Sequence, residues 1–174
     1  MGTRHPLPRR WLMTDERLGD GLFTAIDRLP EGGGIVFRHY SLAPDERRAL
    51  FSDVKRRARE RQLLLLLAGP ADQAEAWGAE GSHGLGGGGA LRTAPVHTID
   101  EIRAAEAAGA ALMFLSRVFA TRSHPGARTL GPRGFSELAI ATRLPVVALG
   151  GMNEARFAQL DGAWGWAGID AWSA

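Results

Sequence analysis

Eight short apolar runs recur along the chain, and segments with helical spacing separate most of them. The predicted strands cover residues 10–14, 35–39, 63–67, 81–84, 92–97, 111–119, 145–149 and 165–169. The predicted helices cover residues 20–29, 43–62, 71–77, 98–109, 135–142 and 153–160. Regular alternation of strands and helices indicates a parallel α/β sheet with crossover helices, and eight units favour a closed barrel over an open sheet.

The predicted fold is therefore a single (β/α)8 TIM barrel that occupies residues 1–174 as one domain. The outer helices after the fourth and eighth strands are reduced or missing in this pattern. Their loss explains why the chain is shorter than the roughly 250 residues typical of the fold. A barrel with a thin outer layer leaves apolar flank to cover, so we also expect a homodimer.

Composition excludes several classes of protein. Cysteine is absent, which excludes disulfides, thiolate metal sites and cysteine nucleophiles, and a reducing, cytoplasmic setting is expected. No stretch approaches the roughly 20 apolar residues of a membrane span, and residues 1–10 lack a secretory pattern, so no membrane partner is predicted. The basic run at residues 55–61 lies in a helical pattern with acidic neighbours, and the formal net charge is only +2, so no nucleic-acid partner is predicted.

Three local motifs add to the strand pattern. Residues 86–89 are four consecutive glycines, but no Walker lysine accompanies them, and a flexible turn in place of a lost helix is the favoured interpretation over a phosphate cradle. Thr98 and Glu101 have the spacing of a capping box and predict a helix start at residue 98. The loop at residues 120–132 is rich in Arg, Ser, Gly and Pro, a composition typical of functional loops.

Two sequence blocks resemble a known family. Residues 115–124 read LSRVFATRSH, and residues 145–152 read PVVALGGM. Together they resemble the pattern G-x-V-F-x-T-x-(T/S)-K, then P-V-x-A-I-G-G, of the thiamine phosphate synthase/TenI family. Weaker similarity to the same family runs through residues 11–15, 81–83, 96–98 and 165–169.

The resemblance implies a phosphorylated heterocycle as the small-molecule ligand. In that family the synthase joins a pyrimidine pyrophosphate to a thiazole phosphate with Mg²⁺, while the TenI branch isomerises or merely binds a thiazole phosphate. Carried over, it implies that Thr121, Ser123, Gly150 and Gly151 hold the phosphate. Hydroxyl donors and glycine N–H groups suit phosphate oxygens, and barrels commonly bind phosphate after strands seven and eight. Without the resemblance, a tight strand-to-helix turn explains the two glycines equally well.

The chain also departs from the family pattern. Arg38 alone survives of the family's Gln, Arg and Lys on strand two, and it is expected to position an anionic group of the substrate. No magnesium carboxylates follow strands three and four, so Mg²⁺ is expected only if synthase activity is retained. Arg117 replaces the histidine base of the tautomerase branch. Asp170 replaces a serine, and Arg122 or Arg128 is then needed to offset its repulsion of phosphate.

Histidines concentrate near the C-terminal ends of the predicted strands, which form the catalytic face of such barrels. Side-chain alternation directs His39 outward if Arg38 points inward, which leaves His83, His97 and His124 as candidates for proton transfer. For each of them alone, a hydrogen-bonded or solvent-facing residue is the favoured interpretation, and their clustering at one end of the barrel is what supports a catalytic role. Three histidines could also bind zinc, but these lack a tight spacing motif.

These observations lead to three hypotheses. The first is an enzyme of thiamine biosynthesis or salvage that binds a thiazole phosphate and transfers a proton on its ring. The second is a non-catalytic barrel that binds the ligand for regulation or scaffolding. The third is a full synthase that uses unfamiliar ligands such as Asp15 or Asp170.

Overall fold

The computed structural model describes residues 6–86 and 90–173, and eight parallel strands close there into one barrel in chain order. The strands are β1 Arg10–Met13, β2 Gly34–Phe37, β3 Leu64–Ala68, β4 Gly81–His83, β5 Arg92–Val96, β6 Leu112–Ser116, β7 Val146–Leu149 and β8 Gly165–Gly168. The α-helices are α1 Leu22–Arg28, α2 Pro44–Glu60, α3 Ala71–Trp77, α4 Ile99–Ala107, α5 Gly131–Ala139, α6 Glu154–Phe157 and α7 Asp170–Ser173. A 3-10 segment, Glu16–Gly21, precedes α1. The barrel prediction is confirmed.

Side-chain alternation along each strand builds two layers of core. The inward positions fill the barrel with nine buried residues: Trp11, Met13, Val36, Leu66, Ala68, Leu112, Phe114, Val147 and Ala167. The outward positions pack under the helices, as Leu12 and Ile35 do on one side and Met113 and Ala148 on the other. Because the interior is filled by side chains, a ligand can enter only at an end of the barrel.

The outer layer is thin where the sequence predicts it. The helix after β8, α7, has four residues. After β4, the described residues 84–86 and 90–91 are not helical. Residues 87–89 of the glycine run lie outside the described residues. None of the helices in the described ranges has both the length and the apolar character needed to cross a membrane.

Several predicted elements end at other residues in the structure. The strand predicted at 111–119 stops at Ser116. The residues after it bend, although they still contact the end of β7, where the Val118 N–H donates to Leu149 O at 3.0 Å. Strand β2 stops at Phe37, because His39 has a positive φ of 39°, which a strand does not accommodate. The helix predicted at 135–142 begins earlier, at Gly131, and ends at Ala139.

Candidate functional site

A cavity of about 630 Å³ opens at the C-terminal end of the barrel. It lies among the loops that follow the strands, which is where barrels of this class place their sites. Nine of the ten residues singled out from the sequence line it: Arg38, His97, Thr121, Arg122, Ser123, His124, Gly150, Gly151 and Asp170. The sequence pattern therefore converges on a single place in the fold.

His83 is the residue that the structure does not bring to the cavity. It is buried inside the barrel, where Nδ1 lies 2.9 Å from Thr93 Oγ1 and the ring packs edge-on against Phe114. Burial, and secondly the positive charge of Arg38, lower the pKa of His83 to about 4. A buried neutral imidazole with its own hydrogen bond has a structural explanation, so we do not propose it as a catalytic group.

His39 also lies away from the cavity, in agreement with the outward direction that alternation predicts. Its Nδ1 is 3.0 Å from Thr14 Oγ1, and its ring stacks on Phe37 with the centroids 5.0 Å apart. Burial lowers the pKa of His39, against the opposing charges of Glu16 and Asp15. The residue joins the loop after β1 to the end of β2.

The loop between β6 and α5 brings two hydroxyl groups to the cavity. Thr121 Oγ1 is buried and has no hydrogen-bond partner among the residues that the structure describes. An unsatisfied buried hydroxyl costs about 1–3 kcal/mol, so a ligand oxygen here would relieve that cost. The hydroxyl of Ser123 accepts a short hydrogen bond from the Arg17 guanidinium.

Gly150 and Gly151 form the turn between β7 and α6, and both have positive φ, +105° and +61°. A Cβ on Gly151 would lie 2.5 Å from Ala120 O, and one on Gly150 would lie 2.8 Å from Arg117 Cγ. The glycines thus allow the β6–α5 loop to approach the β7–α6 turn closely. Neither glycine N–H donates to another group in the described part of the chain, so both remain available to an anion.

Five arginines line the cavity: Arg17, Arg38, Arg117, Arg122 and Arg156. Reading the sequence singled out Arg38 and Arg122 as ligand-binding residues and missed the other three. Arg17 follows the end of β1 by four residues, and Arg156 follows the end of β7 by seven. Their place in the loops after strands was the signal in the sequence that could have identified them as cavity residues. The excess of positive charge over the single lining carboxylate, Asp170, makes this a site for an anion.

Arg38 is the best anchored of these arginines. Its Nε donates to Thr14 O at 2.8 Å, its Nη2 donates to Asp15 Oδ2 at 3.0 Å, and its backbone N–H donates to Thr14 Oγ1 at 2.9 Å. Burial lowers the pKa of the Arg38 guanidinium, while the charge of Asp15 opposes that shift. A guanidinium held on two sides is already oriented before a ligand arrives.

Asp170 is compensated within the protein. Arg122 Nη2 lies 3.2 Å from Asp170 Oδ1, and Arg17 Nε lies 3.7 Å from the same oxygen. Of the two arginines that the sequence offered for this role, the structure pairs Arg122 with the carboxylate. Its repulsion of a phosphate in the cavity is offset accordingly.

His97 forms a histidine–carboxylate pair at the edge of the cavity. Its Nδ1 lies 3.0 Å from Glu101 Oε2, and its backbone N–H donates to the same oxygen. The Thr98 hydroxyl accepts from the Glu101 N–H at 3.3 Å. The predicted capping box is therefore half formed, because the carboxylate of Glu101 binds His97 instead of the N–H of Thr98.

His124 lies in the exposed part of the β6–α5 loop and also lines the cavity. Its backbone N–H donates to Thr121 O at 3.4 Å. No side-chain hydrogen bond to another described residue orients its imidazole. Of the two histidines that line the cavity, His97 is the one whose ring is oriented by another side chain, that of Glu101.

The carboxylates at the cavity do not fit a magnesium site. Mg²⁺ needs several oxygen ligands in octahedral geometry, and residues 6–86 and 90–173 hold no cluster of three His, Asp or Glu that could bind a metal ion. Asp15 and Asp170 each lie between two guanidinium groups, at distances of 3.0 to 3.7 Å. A dication bound at either carboxylate would lie close to two guanidinium groups, whose positive charge would repel it.

Comparison with known proteins gives consistent matches. The family model described as thiamine monophosphate synthase (TMP-TENI) matches residues 12–172. A protein of Aquifex aeolicus named "Putative thiamine-phosphate synthase 2" is 28% identical over 179 residues, covering 94% of this chain and 96% of that protein. A thiamine-phosphate synthase of Methanococcus vannielii is 40% identical over 60 residues, which cover 34% of this chain and 29% of that protein.

Solved structures agree on the fold. Thiamine phosphate pyrophosphorylase from Pyrococcus furiosus superposes with a TM-score of 0.77 at 24% identity, covering 99% of this chain and 91% of that chain. The protein of the same name from Bacteroides thetaiotaomicron gives a TM-score of 0.60 at 15% identity, covering 94% of this chain and 83% of that chain.

Proposed function

Because the chain belongs to the thiamine monophosphate synthase (TMP-TENI) family, we propose that it binds a thiazole phosphate in the C-terminal cavity and transfers a proton on its ring. The observation that carries this proposal is the combination of anion donors and an oriented histidine in one cavity. The pathway served is thiamine biosynthesis or salvage.

The phosphate group binds where the β6–α5 loop meets the β7–α6 turn. The supporting donors are the two free N–H groups of Gly150 and Gly151, the unpartnered hydroxyl of Thr121 and the hydroxyl of Ser123. Backbone N–H groups and hydroxyls pointing at one concavity are a common way to hold phosphate oxygens. The guanidinium groups that line the cavity supply the positive charge.

His97 acts as the general base and acid. An ionised Glu101 can only accept hydrogen bonds, so Nδ1 of His97 carries the proton and Nε2 has a free lone pair. Nε2 takes a proton from one atom of the heterocycle, the electron pair stays in the conjugated ring, and the imidazolium returns the proton at another ring position. No atom is gained or lost, and no cofactor is needed.

The test follows conversion between the ring tautomers of thiazole phosphate by proton NMR in D₂O, with affinity measured separately by calorimetry. The wild type should bind and convert the ligand. His97→Gln should keep its affinity within about threefold and lose conversion by about 100-fold or more, the usual scale of general acid–base catalysis. Glu101→Gln should slow conversion less, because the amide oxygen can still accept from the His97 backbone N–H and from Nδ1, while the neutral group stabilises the imidazolium less than a carboxylate does.

The outcomes separate the hypotheses. If conversion is lost with His124→Gln and kept with His97→Gln, the base is His124. Binding by the wild type without conversion would support the non-catalytic binder. No binding at all would overturn the proposal.

A second candidate is the synthase reaction, which the names of the relatives favour. In it the ring nitrogen of the thiazole attacks the methylene of a pyrimidine pyrophosphate, and pyrophosphate leaves. The carboxylates that the structure offers do not fit the magnesium that the family uses, so this candidate stands second. Adding the pyrimidine pyrophosphate to the same samples and measuring thiamine phosphate decides between the two.

We further propose that the protein works in the cytoplasm as a homodimer. The absence of cysteine supports a reducing setting. The outer helices α6 and α7 have only four residues each, which leaves apolar flank of the barrel for a second subunit to cover. Light scattering at high protein concentration should give twice the mass of the chain. A monomeric mass would contradict the dimer.

A further inference from the structure

Five charged side chains form one alternating network along a wall of the cavity: Arg38, Asp15, Arg17, Asp170 and Arg122. Asp15 lies 3.0 Å from Arg38 Nη2 and 3.6 Å from Arg17 Nε. Asp170 lies 3.7 Å from Arg17 Nε and 3.2 Å from Arg122 Nη2. The network runs from the end of β2, across the loop after β1 and the end of β8, to the loop after β6.

Asp15 has a second role in this network besides its charge. Asp15 also accepts a hydrogen bond from the Arg17 N–H at 3.1 Å and thereby caps the 3-10 segment. The guanidinium of Arg17, held between Asp15 and Asp170, donates to the hydroxyl of Ser123. The two carboxylates therefore hold guanidinium groups in place at the rim of the anion site, and are not free to serve as ligands of a cation.

We propose that this cavity binds phosphate and pyrophosphate groups as free anions, with the guanidinium groups of Arg17, Arg38 and Arg122 supplying the charge compensation that a divalent cation gives elsewhere. The inference rests on the proposed function for the location of the anion. It goes further by stating the chemical form of the ligand: an unchelated phosphoryl group. A magnesium chelate carries less negative charge and brings a cation toward three guanidinium groups, so it binds more weakly.

Inorganic pyrophosphate is the probe, because it is a compact multivalent anion that magnesium chelates tightly. We would titrate the full chain with sodium pyrophosphate by calorimetry, first with EDTA and then with excess MgCl₂ at matched ionic strength. The expected result is binding in EDTA and at least fivefold weaker binding with magnesium. Binding that requires magnesium, or no binding in either buffer, would overturn the inference.

Three variants locate the effect. Arg17→Gln should weaken pyrophosphate binding in EDTA at least fivefold. Its matched control is Arg133→Gln, an exposed arginine of α5 that pairs with Glu137 outside the cavity and should leave the affinity unchanged. Asp170→Asn should keep or increase the affinity in EDTA, since it removes a negative charge while the amide oxygen can still accept hydrogen bonds from the guanidinium groups of Arg17 and Arg122. Loss of binding in Asp170→Asn would contradict the proposal that the positive charge of the guanidinium groups carries the affinity.

This test is separate from that of the proposed function. If pyrophosphate binds in EDTA while thiazole phosphate does not bind, the inference stands and the proposed function fails. If thiazole phosphate binds and is converted without magnesium, while pyrophosphate binds only with magnesium, the proposed function stands and the inference fails.

Discussion

At the level of single residues, the chemistry of the cavity depends on which side chains line it and on which neighbouring groups orient them. Arg38 directly follows β2 and is oriented by Asp15. His97 directly follows β5 and is oriented by Glu101. His83 also points inward, but it belongs to β4 itself and lies deeper in the barrel, where the positive charge of Arg38 helps to lower its pKa. Depth along the strand thus separates a histidine of the site from one of the barrel core.

His83 gives a prediction for stability against pH. Its pKa falls from 6.5 to about 4 on folding, so the unfolded chain binds a proton more readily. The free energy of unfolding should be highest above pH 6.5 and fall as the pH drops toward 4, by about 3 kcal/mol in total from this residue. Urea denaturation at pH 7 and pH 4.5 measures this difference.

The variant for this test is His83→Asn, which keeps a polar atom near the position of Nδ1 but does not titrate. It should reduce the loss of stability between the two pH values by about 2 kcal/mol. His124→Asn, at an exposed position, should change that loss by less than about 0.5 kcal/mol. Equal behaviour of both variants would contradict the buried, neutral state of His83.

At the scale of elements, the site depends on the contact between the β6–α5 loop and the β7–α6 turn. The Phe119 N–H donates to Gly150 O at 3.0 Å, and the Arg156 guanidinium donates to Gly151 O and stacks on the Phe119 ring at 4.8 Å. This packing holds the loop against the turn, and residues of both line the same cavity. Close approach of the two backbones requires that no Cβ intervenes.

Gly151→Ala should therefore disturb both stability and ligand affinity. The new Cβ would lie 2.5 Å from Ala120 O at a φ of +61°, so a loss of about 2–3 kcal/mol in the free energy of unfolding is expected. Gly126→Ala is the control, because Gly126 has a φ of +76° with open space around it. It should cost about 1 kcal/mol, the conformational cost alone. Equal losses would show that close approach of the loops is unimportant.

At the scale of the whole molecule, the barrel closes where the first and last strands pair. Trp172 of α7 lies across this junction: its indole N–H donates to Trp11 O of β1 at 2.9 Å, and its ring stacks on Trp166 of β8 with the centroids 4.8 Å apart. Arg28 of α1 donates to Trp172 O at 3.1 Å. Although α7 is short, it joins β1, β8 and α1.

Trp172→Ala should lower the free energy of unfolding by about 3 kcal/mol, because it removes a half-buried aromatic side chain together with its hydrogen bond. Trp172→Phe should lower it by about 1 kcal/mol, since it keeps most of the ring and loses the donor. Chemical denaturation measures both. Ser173→Ala serves as the exposed control, and a Trp172→Ala variant as stable as that control would contradict the role of the junction.

Local patterns in the chain were enough to predict the number and order of the strands, the parallel barrel, and the opposite directions of the Arg38 and His39 side chains. These follow from local rules, because the period of apolar residues and the alternation along a strand depend only on near neighbours in the chain. The sequence also identified nine of the 20 residues that line the cavity, because the strand ends of a parallel barrel meet at one face.

Which of those residues meet depends on the folded barrel. The contact of Arg17 with Ser123 joins residues 106 positions apart, and the pairing of Asp170 with both Arg17 and Arg122 depends on closure of the barrel. The depth of His83 in the barrel is likewise set by the stagger of neighbouring strands. Such distances depend on strand register and loop paths, which arise from packing across the whole barrel and leave no local signal in the chain.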